Sequence, residues 1–359
     1  MPSSHAITMA ENKPHNCTQY GSEKMKNNDS QRVAVLMATF NGEKYIAEQL
    51  DSLLAQEFRN FELYISDDGS TDRTVDILRS YSGRFSGRMH ILEQRSRSNN
   101  GGAANPACEN FLYLLENVQS DLYLFCDQDD WWLENHIQLL VEKYNSLAIN
   151  EVHFPVLVRT DLSIADSQLN ILHCSDSAYM KRRNNPSPHT CFISTDGIRG
   201  CTCMINNALK LLVFKNREML YQNIEKIEMH DIFTAHIAVF FGKMYFIDVP
   251  TLLYRQHGNN TSGGIGKKRT LKEMLNKGIS FSRYKKSYKT LKSELAQKQS
   301  YAEFFISYFE NQFSEKEMRV MQEFIGLSKR HKLSRIYFLL KNHFFKKGFI
   351  NNIWQCIVA

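Results

Sequence analysis

Residues 33–56 read VAVLMATFNGEKYIAEQLDSLLAQ, and this stretch decides the fold class. Val33–Ala38 is a short continuous apolar run, which is typical of a strand buried on both faces. After the turn Thr39–Gly42, apolar residues recur at helical spacing at Ile46, Leu50, Leu53 and Leu54. The stretch therefore predicts a strand, a tight turn and a helix that packs one stripe onto a sheet.

The same pattern recurs along the first half of the chain. It predicts strands at 61–66, 89–93 and 121–126, and helices at 73–81, around 111–115 and around 137–144. Alternation of this kind predicts an α/β fold with a parallel sheet and helices on both faces. Ligands bind at the carboxyl ends of such strands. We therefore expect four loops to converge on one site: 39–42, 67–72, 99–105 and 127–130.

The remaining chain is less regular. Residues 1–31 are polar and lack periodicity, which predicts a disordered lead-in. A helix is predicted at 229–241, a strand at 243–248 and a polar loop at 254–264, whereas 151–230 has no clear pattern. With no run of 18 apolar residues and no apolar leader, we expect a cytoplasmic protein. The eight scattered cysteines are expected to be free, mostly buried thiols.

Positive charge is concentrated near the C-terminus. Residues 267–359 carry 20 Lys and Arg against 7 Asp and Glu, and after Glu323 there are seven basic residues and no acid. Apolar residues accompany them at Leu333, Ile336, Tyr337, Leu340 and Phe344. Two interpretations stay open: residues 324–359 lie against a membrane as a basic amphipathic helix, or the apolar stripe packs on the rest of the protein. No nucleic-acid-binding motif accompanies the charge, so a nucleic-acid partner is not expected.

The acidic turn Asp127-Gln128-Asp129-Asp130 directly follows an apolar strand. Three carboxylates within four residues repel one another unless a cation compensates them. Oxygen ligands of this kind suit Mg²⁺ or Mn²⁺. The alternative is a solvated turn that caps the following helix.

A second acidic turn, SDDGSTD (66–72), follows another predicted strand. Asp, Gly and Ser are ordinary turn formers, and Asp72 is a suitable helix cap. Turn formation alone does not explain the adjacent carboxylates Asp67 and Asp68 at the end of a strand. A carboxylate there is placed to accept hydrogen bonds from a base or ribose.

Together these stretches resemble glycosyltransferase family 2, whose fold is GT-A. The segments that carry the resemblance are 33–56, FELYISDDGSTDRT (61–74), LYLFCDQDDWW (122–132), GCTCMINNAL (200–209), MHDIFTAHIAVFFG (229–242) and IDVPTLLYRQHGNN (247–260). The last three are similar to a rhamnosyltransferase-like branch that builds O-antigen and capsule. The resemblance implies a GT-A catalytic domain over 32–262, with a Rossmann-like, mostly parallel sheet, and a basic helical C-terminal region over 263–359.

The resemblance also implies roles for individual residues. The general base is Asp231, in a His-Asp pair where many members have Glu-Asp. Asp129 and His257 are the implied metal ligands, for Mn²⁺ or Mg²⁺. The implied donor-binding residues are Thr39, Asn41, Asp68, Asp127, Asp130 and Arg255, of which Asp127 lies near ribose, Asp130 near the donor sugar and Arg255 near the diphosphate.

The implied reaction is inverting sugar transfer from a UDP- or dTDP-sugar to a polyprenyl-diphosphate-linked glycan, at the inner face of the plasma membrane. A sugar hydroxyl is a poor nucleophile, so a carboxylate must take its proton during the attack. A single displacement through an oxocarbenium-like state inverts the anomeric centre.

Two alternative functions are considered. A sugar nucleotidyltransferase would normally have a Gly-rich loop with Lys or Arg after its first strand, and Thr39–Gly42 is not such a loop. A non-catalytic scaffold that binds nucleotide sugars could dispense with Asp129 or Asp231, and both are present.

Overall fold

The computed structural model describes residues 31–92, 105–148, 153–193, 198–257, 281–342 and 344, and for 281–291 the backbone alone. The predicted lead-in apart from Gln31, the loop 99–105 apart from Asn105, and the end of the loop 254–264 lie outside these residues.

The N-terminal half forms the predicted parallel sheet. Its elements are β1 (Val33–Thr39), α1 (Ile46–Leu54), β2 (Glu62–Asp67), α2 (Thr74–Tyr81), β3 (Met89–Ile91), α3 (Pro106–Asn117) and β4 (Leu122–Cys126). These strands pair in parallel in the order β3-β2-β1-β4. Alternate β1 side chains enter two separate cores, because Val33, Val35 and Met37 pack on one face and Ala34 and Leu36 on the other. The α/β prediction, with helices on both faces, is confirmed.

The sheet continues through later strands, which pair both parallel and antiparallel. The elements are β5 (Trp131–Trp132), α4 (His136–Asn145), β6 (Val156–Ala165), β7 (Ile171–His173), α5 (Asp176–Met180), α6 (Pro188–Ile193), β8 (Cys203–Asn206), α7 (Asn207–Val213), α8 (Arg217–Gln222), α9 (His230–Phe241) and β9 (Lys243–Arg255). Within the described residues the strand order is β3-β2-β1-β4-β8-β6-β9-β5, with β7 on β6. β6 and β9 pair in parallel, whereas β8 runs antiparallel to both β4 and β6.

Two features of this half differ from the sequence prediction. β6 is a fully buried ten-residue strand within the segment predicted to be irregular. β9 extends to Arg255, so the first residues of the predicted loop 254–264 are strand. Its register against β6 shifts where Pro250 faces Asp161, because proline has no N–H to donate to the ladder.

The C-terminal helices pack on the core. They are α10 (Phe281–Tyr308), α11 (Glu315–Ile325) and α12 (Lys332–Lys341). Phe305 contacts Phe233 and Phe240 of α9 at ring-centroid distances of 6.3 and 5.5 Å. Of the predicted apolar stripe, Phe344 is buried in the same cluster, whereas Leu333, Tyr337 and Leu340 are exposed. The face of α12 that packs on the core instead carries Phe338 and Leu339, which the predicted stripe did not include.

Among the described residues, no helix combines the length and apolar character needed to cross a membrane. The six cysteines in these ranges are free thiols, and all but Cys174 are buried, as predicted.

Candidate active site

Two turns at the carboxyl ends of β1 and β2 are joined by hydrogen bonds. The Asn41 N–H donates to Ser70 Oγ at 2.8 Å, and the Thr71 N–H donates to Asn41 Oδ1 at 2.8 Å. Asn41 adopts a left-handed conformation with φ of 45°, which Asn tolerates better than most residues. The predicted convergence of loops 39–42 and 67–72 is confirmed.

Asp67 organises the second turn, a role the sequence analysis did not assign. Its carboxylate accepts hydrogen bonds from the Ser70 N–H at 2.7 Å, the Gly69 N–H at 3.1 Å and the Thr39 hydroxyl at 2.8 Å. Thr39 is buried, so its hydroxyl fixes the turn. The adjacent Asp68 donates its N–H to the Thr39 carbonyl at 2.8 Å. The donor contacts predicted for Thr39, Asn41 and Asp68 stay predictions.

The acidic turn after β4 is fastened to the β1 turn by Gln128. Gln128 Oε1 accepts from the Phe40 N–H and Gln128 Nε2 donates to the Phe40 carbonyl, both at 2.9 Å. A Cβ on Gly42 would lie 2.3 Å from Gln128 Oε1, so only glycine leaves room for this amide. Loop 127–130 therefore joins the predicted site.

Arg255 holds the same turn from the β9 side. Its N–H donates to Asp130 Oδ1 at 3.0 Å, and its guanidinium donates to the Asp129 carbonyl at 2.7 Å, the Ser167 carbonyl at 2.7 Å and Glu48 Oε2 at 2.6 Å. Arg255 is 1% exposed. The structure uses this guanidinium to fix the acidic turn, and its predicted diphosphate contact stays a prediction.

Asp129 and His257, the two predicted metal ligands, lie side by side. His257 Nε2 is 2.7 Å from Asp129 Oδ2, and both side chains are partly accessible. The His257 ring lies against Tyr45, with centroids 4.9 Å apart. β9 ends beside the acidic turn and thus brings together two residues that are 128 positions apart in the sequence.

A second cluster adjoins this pair. Ligand atoms of Asp127, Asp130 and Cys201 all lie within 4.8 Å of one another. Burial, with the negative charges of Asp129 and Asp231, raises the pKa of Asp127 to about 7. Burial and the neighbouring carboxylates also raise the pKa of Asp130 well above its usual value. The sequence predicts Cys201 only as a buried thiol, because its carboxylate neighbours are distant in the chain.

The donor set fits a divalent cation. Asp130 Oδ2 is buried and has no hydrogen-bond partner among the described residues, and an unpaired buried oxygen is costly unless a proton or cation satisfies it. Asp129 and His257 offer an oxygen and a nitrogen that converge. Carboxylate oxygens are suitable ligands for both Mg²⁺ and Mn²⁺.

Asp231, the predicted base, lies in the first turn of α9. Its Oδ2 accepts the Gly200 N–H at 2.8 Å and its Oδ1 accepts the Ile232 N–H at 2.7 Å. Burial raises its pKa to about 6, although these two donors and the positive charge of Arg199 oppose the rise. Asp231 is thus held in place and is a stronger base than an ordinary Asp.

His230, the neighbour of Asp231, lies in an aromatic stack. Its ring is 4.0 Å from the Phe111 ring and 4.6 Å from the Phe125 ring, centroid to centroid. Burial lowers its pKa to about 3, so the imidazole is neutral near pH 7. His230 is therefore a buried, neutral packing residue next to Asp231.

Acidic turns gathered at the carboxyl ends of parallel strands lie where α/β proteins bind their ligands. Residues 34–191 match the family model for glycosyl transferase family 2. The chain is 30% identical over 238 residues to the dTDP-rhamnosyl transferase RfbG of Shigella flexneri, an alignment that covers 63% of this chain and 73% of RfbG. This chain belongs to glycosyltransferase family 2.

Further relatives share the class. A glycosyltransferase of Rickettsia typhi is 24% identical over 239 residues, covering 66% of this chain and 68% of that protein. The crystal structure of residues 1–349 of TarS from Staphylococcus aureus covers 90% of both chains, with 15% identity and a TM-score of 0.47.

Proposed function

We propose that this chain is a metal-dependent, inverting glycosyltransferase that moves a sugar from a nucleoside diphosphate donor to a hydroxyl of a lipid-linked glycan in bacterial surface polysaccharide synthesis. The observation that carries the proposal is the placement of Asp231. Its carboxylate accepts the Gly200 N–H at 2.8 Å, and the thiol of the next residue, Cys201, lies within 4.8 Å of carboxylate oxygens of Asp127 and Asp130. The proposed base would thus lie close to the proposed donor-binding turn.

Asp231 would take the proton from the acceptor hydroxyl as that oxygen attacks the anomeric carbon. A pKa of about 6 keeps the group mostly ionised near pH 7 while making it a better proton acceptor than an ordinary Asp. The Gly200 and Ile232 N–H groups would hold its oxygens throughout. Attack opposite the leaving diphosphate requires no covalent nucleophile, and it inverts the anomeric centre.

Asp129 and His257 would hold Mn²⁺ or Mg²⁺. When bound, the cation supplies positive charge that stabilises the diphosphate as a leaving group. Gln128 and Arg255 would keep the turn in place by the hydrogen bonds described above. Thr39, Asn41 and Asp68 would line the nucleotide end of the site, with Asp127 and Asp130 nearer ribose and sugar.

The donor we favour is dTDP-rhamnose, because RfbG is named a dTDP-rhamnosyl transferase. UDP-linked hexoses are the second choice. The O-antigen context of the resemblance supports a polyprenyl-diphosphate-linked acceptor and a peripheral location at the inner face of the plasma membrane. The division into a catalytic domain (32–262) and a C-terminal region (263–359) belongs to the same proposal.

The test is donor binding and turnover with purified protein against a panel of UDP- and dTDP-sugars, with Mn²⁺, with Mg²⁺ and with chelator. Asp129→Asn should lose metal-dependent donor binding. Asp231→Asn should retain donor binding, and its turnover should fall by about 10²–10⁴-fold because the general base is gone. Asp76→Asn, in an exposed side chain of α2, is the matched control and should behave as the wild type.

Three outcomes would contradict the proposal. A folded protein that binds none of the donors would not be a transferase of these sugars, and donor binding without turnover under any metal condition would identify the non-catalytic scaffold. Release of pyrophosphate from a nucleoside triphosphate and a sugar phosphate would identify a nucleotidyltransferase.

A further inference from the structure

Helix α12 leaves a row of large apolar side chains in solvent. Leu333, Tyr337 and Leu340 are 72%, 64% and 56% exposed. Their spacing of four and three residues places them on one face of the helix. Phe338 and Leu339 occupy the opposite face and are buried in the core. Packing on the core thus accounts for only one of the two apolar faces.

Positive charge borders this row. Lys332 and Lys341 are exposed at the two ends of α12, and Lys329 is exposed one turn before it. No Asp or Glu occurs anywhere from residue 324 to the C-terminus. The nearest acid before it, Glu323, already pairs with Arg330 at 3.2 Å. Within the described part of the chain, none of these three lysines takes part in an ion pair.

We propose that the outer face of α12, formed by Leu333, Tyr337 and Leu340 with Lys329, Lys332 and Lys341, docks onto an anionic lipid surface. Lysine is depleted in protein–protein interfaces, whereas helices that lie in a membrane interface combine Lys with apolar and aromatic side chains. A ten-residue helix is too short to span a bilayer, so it lies in the interface. The functional purpose of this docking, which is to bring the enzyme to its acceptor, rests on the proposed lipid-linked acceptor. Lipid binding itself is measurable without any substrate.

The docked helix would be joined to the catalytic half of the molecule. Phe344, just after α12, stacks on His189 of α6 at 4.9 Å and on Phe324 of α11 at 4.8 Å. The His189 ring also lies 6.1 Å from the Phe240 ring of α9, the helix whose first turn carries Asp231. Lipid contact through α12 would therefore orient the active site relative to the membrane.

The test is co-sedimentation of the full chain with vesicles of phosphatidylcholine, with and without phosphatidylglycerol. We expect binding only to the anionic vesicles, weakened by salt. The triple variant L333S/Y337S/L340S should lose it. K332Q/K341Q should weaken partition about 25-fold, since each basic residue contributes about five-fold. Leu211→Ser, which replaces a 64% exposed leucine of α7, is the matched control and should bind as the wild type.

Thermal unfolding and donor hydrolysis accompany each variant. Unchanged melting and hydrolysis, with lost sedimentation, support the proposal. Wild-type sedimentation by the triple variant would overturn it, as would a wild-type dimer that this variant dissociates, because a second copy would then cover the face. If the wild-type protein hydrolyses no donor, the proposed function is refuted. The measured binding to anionic vesicles would still hold.

Discussion

The fit between Gly42 and Gln128 makes a coupled pair of substitutions informative. In Gly42→Ala, the new Cβ would lie 2.3 Å from Gln128 Oε1 and 2.6 Å from its Cδ. The backbone at Gly42 cannot easily move to relieve this clash. The Gly42 N–H donates to Thr74 Oγ1, and the Gly42 carbonyl accepts from the Tyr45 and Ile46 N–H groups. The Gln128 side chain is therefore expected to swing away and release the β1 turn.

The size of the effect follows from the two hydrogen bonds that Gln128 makes with Phe40. A hydrogen bond contributes about 0.5–1.5 kcal/mol net, and these two are solvent-accessible, so together we expect about 1–2 kcal/mol. If donor binding requires the ordered turn, affinity should fall by about 5–30-fold. Gln128→Ala should cause the same loss, because it removes the same two bonds.

The double variant G42A/Q128A tests whether the methyl group added at position 42 acts through Gln128. With the amide absent, the added methyl meets no clash, so the double variant should bind UDP or dTDP with Mn²⁺ no more weakly than Gln128→Ala alone. Isothermal titration of the four proteins gives the coupling free energy, expected at about 1–2 kcal/mol. Strictly additive losses would refute the reasoning, since they would mean that the methyl group acts without Gln128.

Three further predictions concern the proposed base Asp231, the fixing of the acidic turn by Arg255, and the contact of Gly200 with the base. Because Asp231 must be ionised to accept a proton and its pKa is about 6, kcat/KM should fall about tenfold per pH unit below about pH 6 and level off above it; a pH–rate profile without this limb would remove Asp231 from the role. Arg255→Ala removes three hydrogen bonds and the packing of a buried guanidinium and should destabilise the fold by about 3 kcal/mol, whereas Arg217→Ala, which removes a mostly exposed side chain, should cost less than about 1 kcal/mol; equal melting temperatures for the two would contradict this. Gly200→Ala puts a Cβ 3.0 Å from His230 Nε2 and 3.4 Å from Asp231 Cβ, so kcat should drop with donor affinity unchanged, and steady-state kinetics showing a change in KM alone would count against it.

The sequence predicts the N-terminal half of the fold well because β1 and β4 are nearly uninterrupted apolar runs, and the helices between the strands show apolar residues at helical spacing. β6 escapes prediction because Arg159 and Asp161 break its pattern, although both are buried. Arg159 donates to the Asn184 carbonyl at 3.0 Å and lies over the Phe246 ring at 4.3 Å. Asp161 accepts the Ser177 N–H at 3.1 Å. Partners this distant in sequence leave no local signal.

The residues of the site also differ in whether the sequence alone identifies them. Acidic turns after apolar strands can be read locally, so Asp127–Asp130 and the 66–72 turn are identified. The neutral state of His230, the position of Cys201 and the fixing role of Arg255 depend on contacts made across the fold. Gln128 is the instructive case, because its position between two acids says nothing about the backbone that it binds.

The aromatic packing of α9 has a consequence for the C-terminal third of the chain. One end of α9 carries Asp231, and its side chains Phe233 and Phe240 lie against Phe305 of α10. A chain ending at residue 262 would remove Phe305 from these rings and weaken the packing of the helix that carries the proposed base. Substitutions at this buried packing surface, unlike those on the exposed face of α12, should therefore alter turnover without touching any substrate.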